Sequence, residues 1–304
     1  MKKDAMATSL LLIGTFFWGM TFVFIKEGIS IINLYTFLTW RFMIAALVLV
    51  VIFYKKFKSL DRETIKFGII LGLVLSAGYI TQTVGLQYTT ASKAAFVTGL
   101  SVVFVPIFLS IINKKLPSVN NIIAVIFATS GLGLLTLSSS LQLNIGDIWI
   151  FLCAISFAIY IILVGRYTRI FESIKFTVVQ LLTVSVVTGI ISIFNDKFEI
   201  PRGYTVWQAI IFCSILATSF MYAIQNQFQK FISEVKAAII FSFEPLFAAV
   251  TAHFYLHEEI TFKILMGGLL IFIGMIVSEL KINLWLFSAC LKSAISVIPS
   301  EVEE

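Results

Sequence analysis

Two segments of this sequence, far apart along the chain, carry matching sets of polar side chains at matching spacing. The sets are Ser76, Tyr79, Gln82 and Thr83 in the first segment, and Ser219, Tyr222, Gln225 and Asn226 in the second. At about 100° per residue, each set covers an arc of roughly 120° on a helix. Each segment is therefore predicted to be a helix with one polar face, whose hydroxyl, phenol and amide groups hydrogen-bond a zwitterionic or amide-bearing solute.

If the two polar faces meet, they line a cavity that holds such a solute, with aromatic rings available for its apolar part. Trp18 is a further candidate for the cavity wall, and the alternative is that it packs as a large side chain against small ones. The alternative for the polar sets is that they join helices to one another, which is common in lipid. The repetition of the sets and the bulk of the two tyrosines favour the cavity.

Glu244 is the only acidic residue near the centre of an apolar stretch, and it directly precedes Pro245. An ionised carboxylate in lipid is costly unless it is paired, protonated or facing water. Three roles stay open. The carboxylate couples transport to protons or binds a substrate amine, it donates when protonated to a carbonyl that Pro245 leaves free, or it pairs with Arg41, a basic residue inside a predicted span.

Two further pairs of residues are candidates for movement and for charge at the cavity mouth. Pro106 and Pro245 lie in the fourth and ninth predicted helices, where each removes a backbone hydrogen bond and provides a gate or a fixed bend. Lys93 and Lys236 begin the same two helices. They serve either as anchors that reach the membrane surface or as charges that attract anions to the cavity.

No metal or cofactor site is predicted. His253 and His257 are spaced as possible metal ligands with Glu258 nearby, but no third ligand converges in the same loop. The chain has no Walker motif and no G-x-S-x-G, and no glycine-rich loop follows a strand. These absences argue against nucleotide-driven pumping and against a familiar hydrolase.

The composition of the chain requires a membrane. Of 304 residues, 59% are hydrophobic and 12% are charged, against about a quarter charged in soluble domains. The mean hydropathy is +1.01. A water-soluble fold is excluded because there is too little polar surface to cover it, and the three cysteines are scattered singly, as buried thiols are.

Polar clusters divide the chain into ten apolar spans, each predicted to be a helix that crosses the bilayer. The spans cover residues 5–25, 34–53, 65–87, 91–112, 121–138, 145–167, 174–194, 206–229, 235–256 and 262–280. The predicted fold is thus an all-α integral membrane protein. Residues 281–304 are predicted to form an interfacial helix with an acidic tail.

The basic residues orient these spans. With a cytoplasmic N-terminus, sixteen basic residues fall on the inner side and five on the outer side, while Arg41 lies within a span. The positive-inside rule predicts this asymmetry for a correct topology. Because the charge of +6 is spread over loops, no nucleic-acid partner is expected. Both termini are predicted to be cytoplasmic, in a cell membrane that the residue usage indicates to be a bacterial inner membrane.

A shift of 143 residues aligns the second half of the chain with the first. It places Ser76 on Ser219, Tyr79 on Tyr222, Gln82 on Gln225, Lys93 on Lys236 and Gly131 on Gly274. The shift equals five spans, an odd number, so residues 5–138 and 145–280 are predicted to be two inverted repeats. Inverted repeats are an architecture of secondary transporters, which bind substrate near the membrane midplane between the halves.

Longer motifs follow one another in a characteristic order. The first half contains FFWGMTFVFIK, WRFMIAALVLV and YTTASKAAFVTGLSVVFVPIF, and the second contains SEVKAAIIFSFEPLFAAVTAHFYLHEEIT and GGLLIFIGMIVSEL. From about residue 6 to residue 280, the chain resembles the EamA-type transporters of the drug/metabolite transporter superfamily. The resemblance implies two five-helix repeats around a central cavity, no bound cofactor, and movement of small metabolites, commonly export of amino acids.

One motif departs from the family pattern. Members often read L-G-E-x-L-T after the ninth helix, whereas this chain reads LHEEIT, with His257 at the glycine position. A tight turn on the outer side therefore lacks its usual glycine, and the residues of the predicted cavity are not affected.

The predicted function is a secondary carrier that exports amino acids or related compounds by alternating access. Its expected partners are a small-molecule substrate, membrane lipid and, if Glu244 couples transport, a proton. Three alternatives stay open: uptake of a nucleoside-like or adenosyl metabolite, an intramembrane enzyme, and a non-transporting scaffold or sensor. An enzyme needs converging nucleophile, base or metal ligands at one depth, and the sequence offers only Glu244 there.

Overall fold

The computed structural model describes residues 2–89, 91–136, 144–195, 198–256 and 261–279, and all regular elements in these ranges are helical. The all-α prediction is confirmed for this part of the chain. The predicted interfacial segment 281–304 lies outside the described residues.

The helices divide into two sets in chain order. The first set comprises α1 (Lys2–Ile31), α2 (Leu34–Ile52), α3 (Arg62–Leu86), α4 (Ala91–Gly99), α5 (Ser101–Asn113) and α6 (Val119–Thr136). The second set comprises α7 (Ile145–Tyr167), α8 (Ser173–Phe194), α9 (Tyr204–Ser214), α10 (Met221–Phe228), α11 (Glu234–Phe241), α12 (Glu244–Leu256) and α13 (Phe262–Glu279). Helix α1 extends beyond the predicted 5–25 at both ends.

Six helical stretches are long and apolar enough to cross a membrane: α1, α2, α3, α7, α8 and the continuous stretch Tyr204–Phe231. Shorter apolar helices occur at Val97–Asn113, Val119–Leu134 and Phe262–Ser278. Such a succession of apolar helices is that of a multi-pass membrane protein.

Three of the predicted spans are interrupted rather than continuous. The fourth is divided at Leu100 into α4 and α5, and the ninth is divided at residues 242–243 into α11 and α12. The two breaks fall at equivalent positions of the 143-residue repeat. In the ninth span, Pro245 has no N–H to donate to the carbonyl of Phe241, which weakens the helix at the break. The eighth span contains a π-helical turn, Ile215–Phe220, between α9 and α10.

Glycines allow the closest helix contacts. Helix α6 packs along α13, and α3 packs against α7 and α8. A Cβ atom built on Gly131 of α6 would lie 2.5 Å from the carbonyl oxygen of Gly267, and one on Gly274 of α13 would lie 2.7 Å from that of Ala124. Small residues let helix backbones approach in this way where lipid gives no hydrophobic driving force.

Polar side chains at helix starts fix the loops on the predicted inner side. Asp61 caps α3 by accepting from the backbone N–H of Thr64 at 2.7 Å and from its hydroxyl at 2.6 Å. Glu172 caps α8 by accepting from the N–H of Lys175, and its carboxylate pairs with Lys56 Nζ at 2.8 Å. This pair joins the loop before α3 to the loop before α8.

Both capping carboxyls have lowered pKa values. The hydroxyl of Thr64, followed by its backbone N–H, lowers the pKa of Asp61. Burial alone would raise the pKa of Glu172, but the hydrogen bonds from Lys56 and from the N–H of Lys175 outweigh it and lower the pKa below 4.5. A lowered pKa means that the ionised form stabilises the folded loops.

We expect the loop pair to open as the pH falls below 4.5, the ordinary value for glutamate, because protonation of Glu172 removes the charge that Lys56 binds. The loss is less than about 1 kcal/mol, since both side chains are exposed. Deuterium exchange of residues 54–62, corrected for intrinsic rates, should rise in acid for the wild type. Glu172→Gln should lack this acid-dependent change, and identical pH profiles for the two proteins would contradict the assignment.

Candidate functional site

A central cavity lies between helices of the two sets, with about 580 Å³ of empty space that includes its open part. Side chains from α1, α2 and α3 meet side chains from α7, α10 and α12 around it. Five of the nine predicted substrate-binding residues line the cavity: Trp18, Tyr79, Gln82, Tyr222 and Gln225.

Two tyrosines at equivalent repeat positions contact each other at the cavity. The hydroxyl of Tyr222 donates to that of Tyr79 at 2.8 Å, and the two ring centroids are 6.4 Å apart. The ring of Phe157 lies 5.5 Å from that of Tyr79, and the ring of Trp18 lies 5.6 Å from that of Tyr222. The polar faces of α3 and α10 therefore meet, with aromatic rings beside the hydroxyl pair.

The other four predicted binding residues do not line the cavity. Each donates a hydrogen bond to a backbone carbonyl: Ser76 to Gly72, Thr83 to Tyr79, Asn226 to Tyr222, and Ser219 to Ala45 and Ser214. The bond to Ala45 links the π-helical turn to α2, which is the helix-joining role considered for such residues. Ser76, Thr83 and Asn226 bond to their own helix because the carbonyl four residues earlier is within reach, and Ser219 reaches the carbonyl five residues earlier because it lies in the π-helical turn.

Arg41 of α2 brings a buried positive charge to the cavity wall. Its side chain is among the largest fully buried ones, at 1% exposure. Its Nε donates to Thr218 Oγ1 at 2.9 Å and its Nη2 donates to the Tyr79 hydroxyl at 3.5 Å. The guanidinium lies 4.9 Å from the centroid of the Tyr79 ring. Its Nη1 has no hydrogen-bond partner among the described residues.

Glu244, the first residue of α12, lines the same cavity and is half-buried. Across the described part of the chain its carboxylate forms no hydrogen bond, and it lies more than 4.0 Å from every lysine or arginine nitrogen there. Neither the predicted ion pair with Arg41 nor the predicted bond to a freed carbonyl is formed in this conformation, although the charge of Arg41 lies close enough to act on the Glu244 carboxylate. Both alternatives stay predictions. The carboxylate faces the cavity because α12 begins at the helix break beside it.

The two helix breaks place equivalent residues at the cavity. Ser101 begins α5 and Glu244 begins α12, they are 143 residues apart, and both line the cavity. Broken helices whose ends meet near the midplane are a feature of secondary transporter sites. The candidate gating prolines differ in position, since Pro106 lies inside α5 whereas Pro245 is the second residue of α12. Proline is well tolerated at that second position because its missing N–H would have no partner.

Lys236 at the start of α11 is buried, with 6% exposure. Its Nζ pairs with Asp4 of α1 at 3.1 Å. This contact fastens the start of α1 to the start of α11 on the predicted inner side. Its repeat equivalent, Lys93, is in α4, and the side chain of Lys93 lies outside what the structure describes.

The described residues contain no group of three His, Cys, Asp or Glu side chains that could hold a metal ion. His253 lies in α12, whereas His257 and Glu258 lie outside the described residues. Cys153 and Cys213 are buried free thiols.

Several cavity residues were missed by the sequence analysis. They are Thr21, Thr98, Gly99, Ser101, Phe157, Tyr160, Ile161 and Phe241. The repeat itself contains a signal for one of them, because Ser101 aligns with Glu244 at the same shift that aligns the two tyrosines. The aromatic members are not distinguished by residue type, because the chain has 30 phenylalanines.

Both halves of the chain match one known protein family. Residues 5–137 and 144–280 each match the EamA-like transporter family. An uncharacterized transporter of Archaeoglobus fulgidus is 30% identical over 87% of this chain and 83% of its own length. The uncharacterized transporter YoaV of Bacillus subtilis is 28% identical over 86% of this chain and 92% of its own length.

One solved structure, described as a crystal structure of a protein, superposes with a TM-score of 0.76. It covers 90% of this chain and 96% of that chain at 13% identity, which shows a shared fold. The motifs, the double family match and the similarity to these transporters agree, and the chain belongs to the EamA-like transporter family.

Proposed function

We propose that the chain crosses the membrane ten times, as two inverted five-helix repeats around the central cavity. The first repeat comprises α1, α2, α3, the broken helix α4 with α5, and α6. The second comprises α7, α8, the helix α9 with α10, the broken helix α11 with α12, and α13. Five crossings reverse the orientation of the second repeat, and the matching breaks at Leu100 and residues 242–243 support this pairing of helices.

Within this architecture, the protein is a secondary transporter of small zwitterionic metabolites, namely amino acids or related compounds, and it works by alternating access. One observation carries the substrate class: the cavity bears a buried cation, Arg41, and a carboxylate, Glu244, which form no ion pair within 4.0 Å of each other. A zwitterion satisfies both charges at once, which neither an anion nor a cation does. Cytoplasmic termini agree with the distribution of basic residues, and export is proposed because it is the common direction in the family.

Transport in proteoliposomes tests this function, with a panel of amino acids, nucleosides and dyes assayed with and without a pH gradient. We expect amino acids to be moved, and Tyr79→Ala and Gln225→Ala to lower their flux by about tenfold or more, since each removes hydrogen bonds inside the cavity. Ser156→Ala is the matched control, because the Ser156 hydroxyl is exposed and bonds only to its own helix at Leu152.

The folded yield of both cavity variants should equal that of the control, so that a lower flux reports on the cavity. Full activity of Tyr79→Ala and Gln225→Ala on every transported solute would refute the cavity assignment. Transport of nucleosides without amino acids would replace the proposed substrate class by the nucleoside-like alternative.

A proton is the proposed coupling ion, exchanged at Glu244 when no substrate ammonium occupies the carboxylate. We expect Glu244→Gln to remove the pH dependence of transport, because the amide is isosteric but does not titrate. The measurement is initial flux between pH 5.5 and 8.5 for wild type, Glu244→Gln and the exposed control Glu199→Gln. Unchanged pH dependence in Glu244→Gln would refute the coupling role.

A further inference from the structure

The π-helical turn Ile215–Phe220 holds Arg41 by one edge of its guanidinium. The hydroxyl of Thr218 accepts from Arg41 Nε at 2.9 Å and donates to the carbonyl of Cys213, five residues earlier, at 2.7 Å. The extra residue per turn is what lets the hydroxyl reach that carbonyl. Because the hydroxyl proton is engaged with Cys213, the oxygen is left to accept from Arg41.

The same turn is also fixed to α1 and, at a second point, to α2. Trp18 Nε1 of α1 donates to the carbonyl of Ala217 at 2.8 Å, and Ser219 Oγ donates to the carbonyl of Ala45 in α2 at 2.9 Å. Single π turns inside α-helices are frequent at functional sites. Here the turn is anchored on both sides, so the position of Thr218, and with it the guanidinium plane, is set by the fold.

The terminal edge of the guanidinium, formed by Nη1 and Nη2, has donors that are free to bind a ligand. Arginine has five N–H donors in a planar fork. Thr218 takes the Nε donor and Tyr79 takes one from Nη2, while Nη1 is without a partner among the described residues. An unpartnered charged donor in a buried side chain is costly. A carboxylate relieves that cost by accepting from the fork in bidentate geometry.

The charges break the symmetry of the repeat. The equivalent of α2 in the second repeat is α8, which has no charged residue after Lys175, and the equivalents of Thr218 and Glu244 are Leu75 and Ser101. The cavity therefore has one end for a carboxylate and another for an ammonium, although its two tyrosines are symmetric. A solute that entered with its ends exchanged would place like charges together.

We infer that a transported zwitterion binds in one orientation, with its carboxylate on the free edge of Arg41 and its ammonium toward Glu244, and that Thr218 is the positioning residue for that edge. This inference rests on the proposed transport function and adds to it the residues that determine the orientation of the bound zwitterion. Thr218 acts through Arg41 and does not itself line the cavity.

Paired ligands test the inference by binding and by transport. The probes are leucine, leucinamide, which lacks the carboxylate, and 4-methylpentanoate, which lacks the ammonium, together with the acid and amide forms of alanine, valine, methionine and phenylalanine. The amino acids should stabilise the wild-type protein against thermal unfolding, and the corresponding amides should stabilise it less. A ligand that binds the native state raises the stability of the protein. Thr218→Val should raise the KM for acids about tenfold and leave the KM for amides within about twofold, because it removes one hydrogen bond to a charged group.

Two variants separate positioning from packing. Thr218→Ser keeps the hydroxyl and should restore the wild-type preference for acids. Thr177→Val removes an equally buried hydroxyl that bonds only to its own helix, and it should leave the acid-to-amide ratio unchanged. If Thr218→Val raises the KM of acids and amides equally, or if it keeps the wild-type ratio, the inference is overturned.

The binding measurement tests the carboxylate site, and the transport measurement tests the proposed function, so the two claims can be refuted independently. If acids stabilise the wild type in preference to amides but are not transported, the proposed function is wrong and the carboxylate site stands. If amino acids are transported but amides bind and move equally well, the function stands and the orientation is wrong. If none of these acids stabilises the protein, the carboxylate site on Arg41 is overturned.

Discussion

Replacing Arg41 with glutamine is expected to lower transport of amino acids about 100-fold or more, the largest functional effect of any single substitution in the chain. Removing one partner of a buried, hydrogen-bonded charge pair costs roughly 2–5 kcal/mol, and each 1.4 kcal/mol is about a factor of ten. Arg41→Lys should recover only part of the activity, because an ammonium keeps the charge but lacks the planar fork. Initial flux in proteoliposomes at equal protein density measures the effect.

The control is Arg166→Gln, which removes the same group from an exposed position on α7. Stability separates a binding role of Arg41 from a structural one. In the empty protein the guanidinium is buried with Nη1 unpartnered, so its removal should leave the unfolding midpoint at or above that of the wild type. A protein that retains wild-type flux, or that loses flux only through a lower folded yield, would contradict the binding role.

Replacing Gly131 with alanine is expected to give the largest loss of stability from the smallest change of volume. The new Cβ atom would lie 2.5 Å from the Gly267 carbonyl oxygen, and a backbone atom cannot turn aside as a side-chain end does. Helices α6 and α13 must then move apart. Overpacking of this kind costs about 1–3 kcal/mol, more than the gain of up to about 1 kcal/mol from replacing glycine in a helix.

The matched control is Gly189→Ala in α8. There the nearest atom to a new Cβ is Cγ2 of Thr39, a side-chain methyl, at 3.3 Å. Reversible denaturation in mixed micelles should show a lower free energy of unfolding for Gly131→Ala and a change of less than about 1 kcal/mol for Gly189→Ala. Equal stability of Gly131→Ala and the wild type would mean that the two helices do not pack as closely as described.

Much of the fold was predictable because its causes are local. Apolar length sets the helices that cross lipid, and the polar clusters between them contain the capping residues, such as Asp61 and Glu172. The helix breaks were harder to predict. Pro245 marks the second break, but the first falls at Leu100, between Gly99 and Ser101, where no proline marks it. A single glycine and a single serine are weak signals in this chain, and the equivalent break in the other half is the stronger one.

The site was predictable where long side chains repeat. Tyr79 and Tyr222 reach the cavity because a phenol extends well beyond its own helix backbone. Ser76 and Thr83 share the same helix face but their hydroxyls end at their own backbone. A helical arc gives the direction of a side chain and not its reach, so the periodicity could not separate these two groups.

The position of Arg41 relative to Glu244 could not be deduced from the sequence. Both were recognised as charges within spans, yet the contact of Arg41 with Thr218 depends on a π-helical turn. One extra residue in a turn changes which side chains face α2. No residue type in that segment predicts a π-helical turn. The turn is stabilised by tertiary contacts, among them the bond from Trp18 to Ala217.

The central claim is that two equivalent halves lie in opposite orientations around the cavity, and labelling of single cysteines from each side of the membrane tests it most directly. Ser59 and Arg202 are equivalent positions of the 143-residue repeat, and both are exposed in loops. Each is replaced by cysteine in a chain whose own three cysteines have been replaced. An impermeant maleimide should label Arg202→Cys in intact cells and Ser59→Cys only in inverted vesicles, whereas labelling of both from the same side would contradict the inverted repeat.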